Sequence, residues 1–86
     1  MTQYYVLVFK NTLDSIKAEK FLKENSIDMT IMPTPTGITQ SCGISIKVSS
    51  DDINKIKELI TENKLTAKAI FGREESAYRR IYNNEE

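Results

Sequence analysis

Histidine and tryptophan are absent from this 86-residue sequence, cysteine occurs once, and twelve Lys and Arg side chains cancel twelve Asp and Glu. Without histidine there is no His-dependent nucleophilic triad. With one cysteine there is neither an all-His/Cys zinc site nor the thiolate set of an iron–sulfur cluster. No metal and no cofactor are therefore expected. An intramolecular disulfide needs two cysteines, which leaves Cys42 as a reduced thiol or as one half of an intermolecular bond. Long hydrophobic runs are missing too. The apolar stretch within residues 1–10 spans about six residues, too few for a signal-peptide core or a membrane span. A cytoplasmic protein with no membrane partner is expected. Charge neutrality also removes the usual electrostatic footprint of nucleic-acid binding. The one basic cluster, Arg73, Arg79 and Arg80, is interspersed with Glu74, Glu75, Glu85 and Glu86, so no nucleic-acid partner is expected. The carboxylates lie along charge-alternating helical stretches, the pattern of solvated surface rather than of paired acid–base catalysis.

What is present is enough apolar material, 40% of the residues, for one packed interior in a chain too short for two. Residues 4–9 form an unbroken β-branched, aromatic and aliphatic run, which predicts a central strand buried on both faces. Asn11 and Thr12 then offer side-chain acceptors to a helix start, and strong helix formers continue to Asn25. At about 100° per residue, Asp14, Ala18, Phe21, Leu22 and Asn25 share one side of that helix and Lys20, Lys23 and Glu24 the other. Ile16 falls among the charges, either as a lone exposed apolar residue or as part of a partner contact.

Residues 28–32 read as a short second strand ended by Pro33. Ile44, Ile46 and Val48 alternate with Ser45 and Lys47, the period of a third strand with one wet face. Ser49 or Ser50 caps a second helix that opens on Asp51 and Asp52 and carries the stripe Ile53, Ile56, Leu59 and Ile60. Residues 65–71 supply a fourth strand before Gly72. Tyr78, Ile81 and Tyr82 recur at helical spacing, and Glu75 stands four residues before Arg79, which together predict a short terminal helix.

The order of elements predicts an α+β fold, a ferredoxin-like βαββαβ sandwich with a four-stranded antiparallel sheet and two helices on one face. One domain is expected over residues 1–72, and a polar helix or tail over residues 73–86. In this topology the second strand runs parallel to the first, so the loop from Pro33 to Gly43 is expected beside Lys10, Asn11 and Thr12.

That loop is compositionally the most unusual part of the chain, with both prolines, two of the three glycines and the only cysteine. At about eleven residues it exceeds a simple hairpin connection, and long ordered loops in small domains often carry function. Pro33 and Pro35 restrict the backbone, while Gly43 is free to take positive φ and leaves room for an approach to Cys42. A thiol with an ordinary pKa near about 8.5 is only a few per cent thiolate at neutral pH, so a useful nucleophile needs help. Lys10, the helix start at Asn11 and Thr12, and backbone amides of the turn are the available stabilisers of a thiolate. The competing reading is a buried Cys42 acting as a small apolar filler.

The pattern formed by Pro33, Thr34, Pro35, Ile38, Ser41, Cys42 and Gly43 resembles that of a selenium/sulfur carrier-like family of small bacterial proteins. The segments 5–12, 18–20 and 44–48 resemble the same family, so the similarity spans about residues 4–71. The resemblance implies that Cys42 carries sulfur or selenium as a persulfide or perselenide. It also implies a donor, such as a cysteine desulfurase, and an acceptor protein. Ser41 and the amides around Gly43 would then stabilise the terminal anion. With no second cysteine in the chain, an acceptor's thiol has to take the cargo. Such a protein is a carrier rather than a turnover enzyme.

Two other classes compete. One is a small binding or regulatory module that pairs into a homodimer through Ile16 or through Tyr78, Ile81 and Tyr82. The other is a redox sensor in which oxidised Cys42 joins two chains. A copper-chaperone site is disfavoured because Asn11 and Thr12 stand where two cysteines are needed. An RNA-recognition sheet is disfavoured because the third strand carries Ile44, Ile46 and Val48 rather than aromatics. An acylphosphatase-like site lacks its arginine in the first strand–helix loop.

Overall fold

The structure is a computed structural model that describes residues 2–35 and 43–83. Its elements in chain order are β1 (Tyr4–Val8), α1 (Thr12–Glu24), β2 (Met29–Pro33), β3 (Ile44–Ser49), a 3-10 turn over Ser50–Asp52, α2 (Ile53–Thr61), β4 (Ala69–Arg73) and β5 (Tyr78–Asn83). All strand pairs are antiparallel, in the order β2-β3-β1-β4-β5. The unbroken apolar run is explained by this order. β1 is the middle strand, hydrogen-bonded along both edges, and Val6, Leu7, Val8 and the following Phe9 are sealed from solvent.

Alternation along β1 sends Leu7 and Phe9 to one face and Val6 and Val8 to the other. Leu7, Phe9, Ile46, Val48 and Ile70 pack against Ala18 and Leu22 of α1 and against Ile53, Ile56 and Leu59 of α2. Both helices therefore cover the same face. Asn11 caps α1 as expected, its side-chain oxygen accepting from the Asp14 amide at 2.8 Å. The buried side of α1 also includes Ser15, whose hydroxyl donates to the Thr12 carbonyl at 2.6 Å and so enters the interior already satisfied. Ser49 is the residue that caps the turn into α2, accepting from the Asp51 amide at 3.1 Å.

Two expectations are corrected. The fourth strand starts at Ala69, not at residue 65: Leu65 and Ala67 are buried in the segment that leaves α2, where the Leu65 amide donates back to the Leu59 carbonyl. Their apolar character comes from packing on the core rather than from a ladder. The terminal helix is absent, and its place is taken by β5, which makes the sheet five-stranded instead of four-stranded. The register shifts by one residue between Ile70 and Phe71, so Ile81 and Tyr82 both lean on the helix-side core while Tyr78 packs on the opposite face. That slip writes a helix-like spacing into a strand. Glu74 rather than Glu75 meets Arg79, at 3.6 Å, across a turn closed by the Glu74 amide on the Ala77 carbonyl. The added strand covers what would otherwise be the bare edge of β4.

The Tyr4 and Tyr78 hydroxyls, 3.2 Å apart, tie β5 to β1 across β4. That hydrogen bond, with burial second, raises the Tyr78 phenol above its ordinary value of 10.0. A raised folded-state value means that this contribution to stability is complete below about pH 10 and is lost as pH rises through the folded value. In urea titrations between about pH 9 and pH 11, wild type is expected to lose more stability than Tyr78→Phe; equal losses would refute the assignment. Ile56 is sealed in the core, so Ile56→Ala is expected to cost about 2–5 kcal/mol in the same titrations at neutral pH, a large part of the total stability.

Candidate functional site

β2 extends through Pro33 and β3 begins at Ile44, so the two strands hold the unusual loop by its ends. Pro33, which has no amide to give, is tolerated because β2 is an edge strand. One pair beyond the strands, the Thr34 amide donates to the Gly43 carbonyl at 3.1 Å. The Thr34 and Ser45 hydroxyls meet at 2.7 Å, with 7% of Thr34 and none of Ser45 accessible to solvent. Burying two hydroxyls without partners is costly, so their mutual bond is what allows this corner to close. The expectation of one wet face on β3 is corrected here: Lys47 and Ser49 are exposed, but Ser45 is not.

Val8 stands opposite Ser45, and Ser45 opposite Met32. The two ends of the loop therefore lie at the same end of the sheet as the exit of β1, from which the chain passes through Lys10 and Asn11 into α1. Lys10, Asn11 and Thr12 are exposed, and the Asn11 side-chain oxygen is committed to its helix cap. Pro35 is half-buried. Gly43 is exposed and has no positive φ, contrary to one use expected for it. Apart from its chain neighbours, a Cβ at Gly43 would meet nothing within 4 Å among the described residues. Ile38, Ser41 and Cys42 lie outside the described residues.

Beside this corner, Ser15, Ile16 and Glu19 of α1 face Ile31 of β2 and Ile44 of β3 across a shallow groove. Ile16 and Ile31 are 54% and 41% exposed, and Leu13 on the same helix is 59% exposed. Ile16 is therefore not the lone surface isoleucine that helix periodicity allowed, because it shares its groove with two further isoleucines. Among the described residues no three His, Cys, Asp or Glu side chains are grouped to hold a metal, and no helix is long and apolar enough to cross a membrane.

Sequence comparison gives the class first: small carrier-like proteins of selenium and sulfur. Residues 4–72 match the family described as "Putative Se/S carrier protein-like", and with most of its length matched the chain belongs to that family. No curated protein and no solved structure matches it. The match takes in β1, β2, β3 and both helices, reaches Gly72 within β4, and stops before β5.

Sequence reasoning missed the Thr34–Ser45 pair. Its signal was a serine in an otherwise aliphatic alternation, opposite a strand end that carries threonine. A double-mutant cycle reads the bond directly. Thr34→Val strands the sealed Ser45 hydroxyl and is expected to cost about 1–3 kcal/mol, whereas adding Ser45→Ala to it should cost little more. Additive losses would show that the two hydroxyls act independently.

Proposed function

We propose that the protein carries a chalcogen atom on Cys42, receives it from a donor protein and passes it to an acceptor. Membership of the carrier-like family is the observation that carries this reading. It gains support from the position of Cys42 in the chain, directly before Gly43, whose carbonyl is anchored to Thr34 and whose α-carbon faces open space. Pro33, Thr34, Pro35 and Ile38 are assigned to supporting the loop, and Ser41 and the amides around Gly43 to stabilising the terminal anion. The architecture reads as a ferredoxin-like sandwich extended by β5, which places the start of α1 and Lys10 at the loop's end of the sheet.

The transfer is an exchange at sulfur. The Cys42 thiolate attacks the terminal sulfur of a donor persulfide, a new sulfur–sulfur bond forms, and the donor cysteine leaves as its thiolate. The sulfane atom changes owner and no external oxidant or reductant is consumed. Delivery is the same step with an acceptor thiolate attacking, because the chain has no second cysteine to resolve the persulfide itself. Passing cargo between proteins also requires a docking surface near the thiol, and the Leu13, Ile16 and Ile31 side chains supply exposed apolar area at that corner.

Incubation with a cysteine desulfurase and cysteine is expected to add about 32 Da to the intact mass, and a selenium-loaded donor about 80 Da, both reversed by thiol reductant. Cys42→Ala is expected to take up neither. An unmodified wild type, or equal adducts on the variant, would overturn the proposal.

A further inference from the structure

The sheet face turned away from the helices sorts charge in a way that the neutral composition hides. Its inner cluster, Val6, Val8 and Ala69 with Tyr4, Met32, Phe71 and Tyr78, is made of strand residues alone. Read across the ladder, this face carries one row of Ser49, Tyr4, Arg73 and Tyr78 and a second of Thr30, Lys47, Val6, Phe71 and Arg80. The three rings are half-buried, while Lys47 and Arg80 are exposed. Among the described residues these strand positions hold three cations and no carboxylate. Acids flank the face: Asp28, just before β2, lines a groove with Thr30 and Lys47, and Glu74 is engaged by Arg79 and by the Thr2 hydroxyl.

Two of the three rings are capped on one face by a cation of the same sheet, so a base that stacks there takes the cation's place and frees it for a phosphate. The Lys47 ammonium stands 4.6 Å from the Tyr4 ring centroid, and the Arg73 guanidinium carbon 4.8 Å from that of Tyr78. Positions over a ring that a cation occupies are those a flat π system can also use. We propose that this face binds single-stranded nucleic acid, with Tyr4, Phe71 and Tyr78 as stacking platforms for bases and Lys47, Arg73 and Arg80 as phosphate ligands. Neighbouring strands are about 4.8 Å apart, so the cations from β3 to β5 span about 14 Å, room for a few nucleotides.

Other occupants fit less well. A second copy would set like charges against each other. An acidic protein surface would pair with the cations but make no use of the Phe71 ring between them. The sequence speaks against nucleic acid by its net charge, by the glutamates interspersed with Arg73, Arg79 and Arg80, and by its aliphatic third strand. In the fold Glu74 is engaged by Arg79, which leaves Arg73 and Arg80 on the opposite face. Ile46 and Val48 face the helices, however, and the rings stand on β1, β4 and β5 instead. None of the three addresses the face as folded.

Fluorescence anisotropy with a labelled, mixed-sequence single-stranded RNA 12-mer and its DNA counterpart tests this in low salt. Wild type is expected to bind, with affinity falling as salt rises. Arg73→Gln/Arg80→Gln should weaken binding at least about ten-fold and reduce the log–log salt slope by about 1.4, near 0.7 for each phosphate no longer neutralised. Phe71→Leu, which keeps apolar volume and removes the ring, should weaken binding by about five-fold or more without flattening that slope. Circular dichroism confirms that each variant is folded, and Cys42→Ser should bind as wild type does. Three outcomes overturn the proposal: no binding of either strand, binding indifferent to the arginine pair, or binding indifferent to Phe71→Leu and displaced equally by polyglutamate. The last would reassign the face to an acidic protein partner.

Discussion

A strand with four covered sides is the constraint from which the rest of this molecule follows. β1 has a hydrogen-bonded neighbour on each edge, and its two faces each bury valine, leucine or phenylalanine almost completely. Burying one such side chain stabilises by about 1.5–3 kcal/mol, so in a domain of marginal stability neither face of β1 can be left bare. On one side two helices provide the cover. On the other the cover is made by the sheet's own side chains, Tyr4, Met32, Phe71 and Tyr78, with Lys47 and Arg73 standing over two of the rings, and this is how a neutral protein comes to have a face that is aromatic and basic.

The same strand fixes where the two ends of the unusual loop stand. Because β3 runs back along β1, and β2 along β3, the loop between β2 and β3 ends beside the exit of β1 and the start of α1. The hydroxyl pair of Thr34 and Ser45 finishes that corner at 2.7 Å. Without it the sealed Ser45 hydroxyl would lose the partner that lets it be buried. With it, backbone pairing continues to the residue next to Cys42.

Much of this was legible in the sequence. The buried run of β1, the asparagine cap of α1, the stripe of α2 and the strand at β3 each depend on residues close together in the chain, and each is found, though Ser45 on the expected wet face of β3 is buried. The elements that misled are those decided at a distance. Leu65 and Ala67 look like a strand because burial, not hydrogen bonding, selects apolar residues. The spacing of Tyr78, Ile81 and Tyr82 looks helical because a register shift on the neighbouring strand moves two successive side chains to one face. No window of local sequence contains the partner strand that causes the shift. The loop was legible as composition and as a family pattern, whereas the hydroxyl pair that closes it joins residues eleven apart and needed the register to be seen.

Net charge gave the least guidance for the same reason. Twelve charges of each sign say nothing about which side of a sheet they occupy, and strand period two sorts them by parity. Lys47, Arg73 and Arg80 share the face of Tyr4, Val6 and Phe71, whereas Glu74 and Arg79 answer one another around the edge. The closed corner at Thr34 and Ser45 lies along β3 from the open rows that begin at Lys47, separated by one step of the pleat. The hydroxyl pair at the loop's base and the basic aromatic rows thus share a scaffold but not residues. A substitution in the open rows can alter what the face binds without touching the hydroxyl bond that orders the loop's base, and each surface is free to be tested alone.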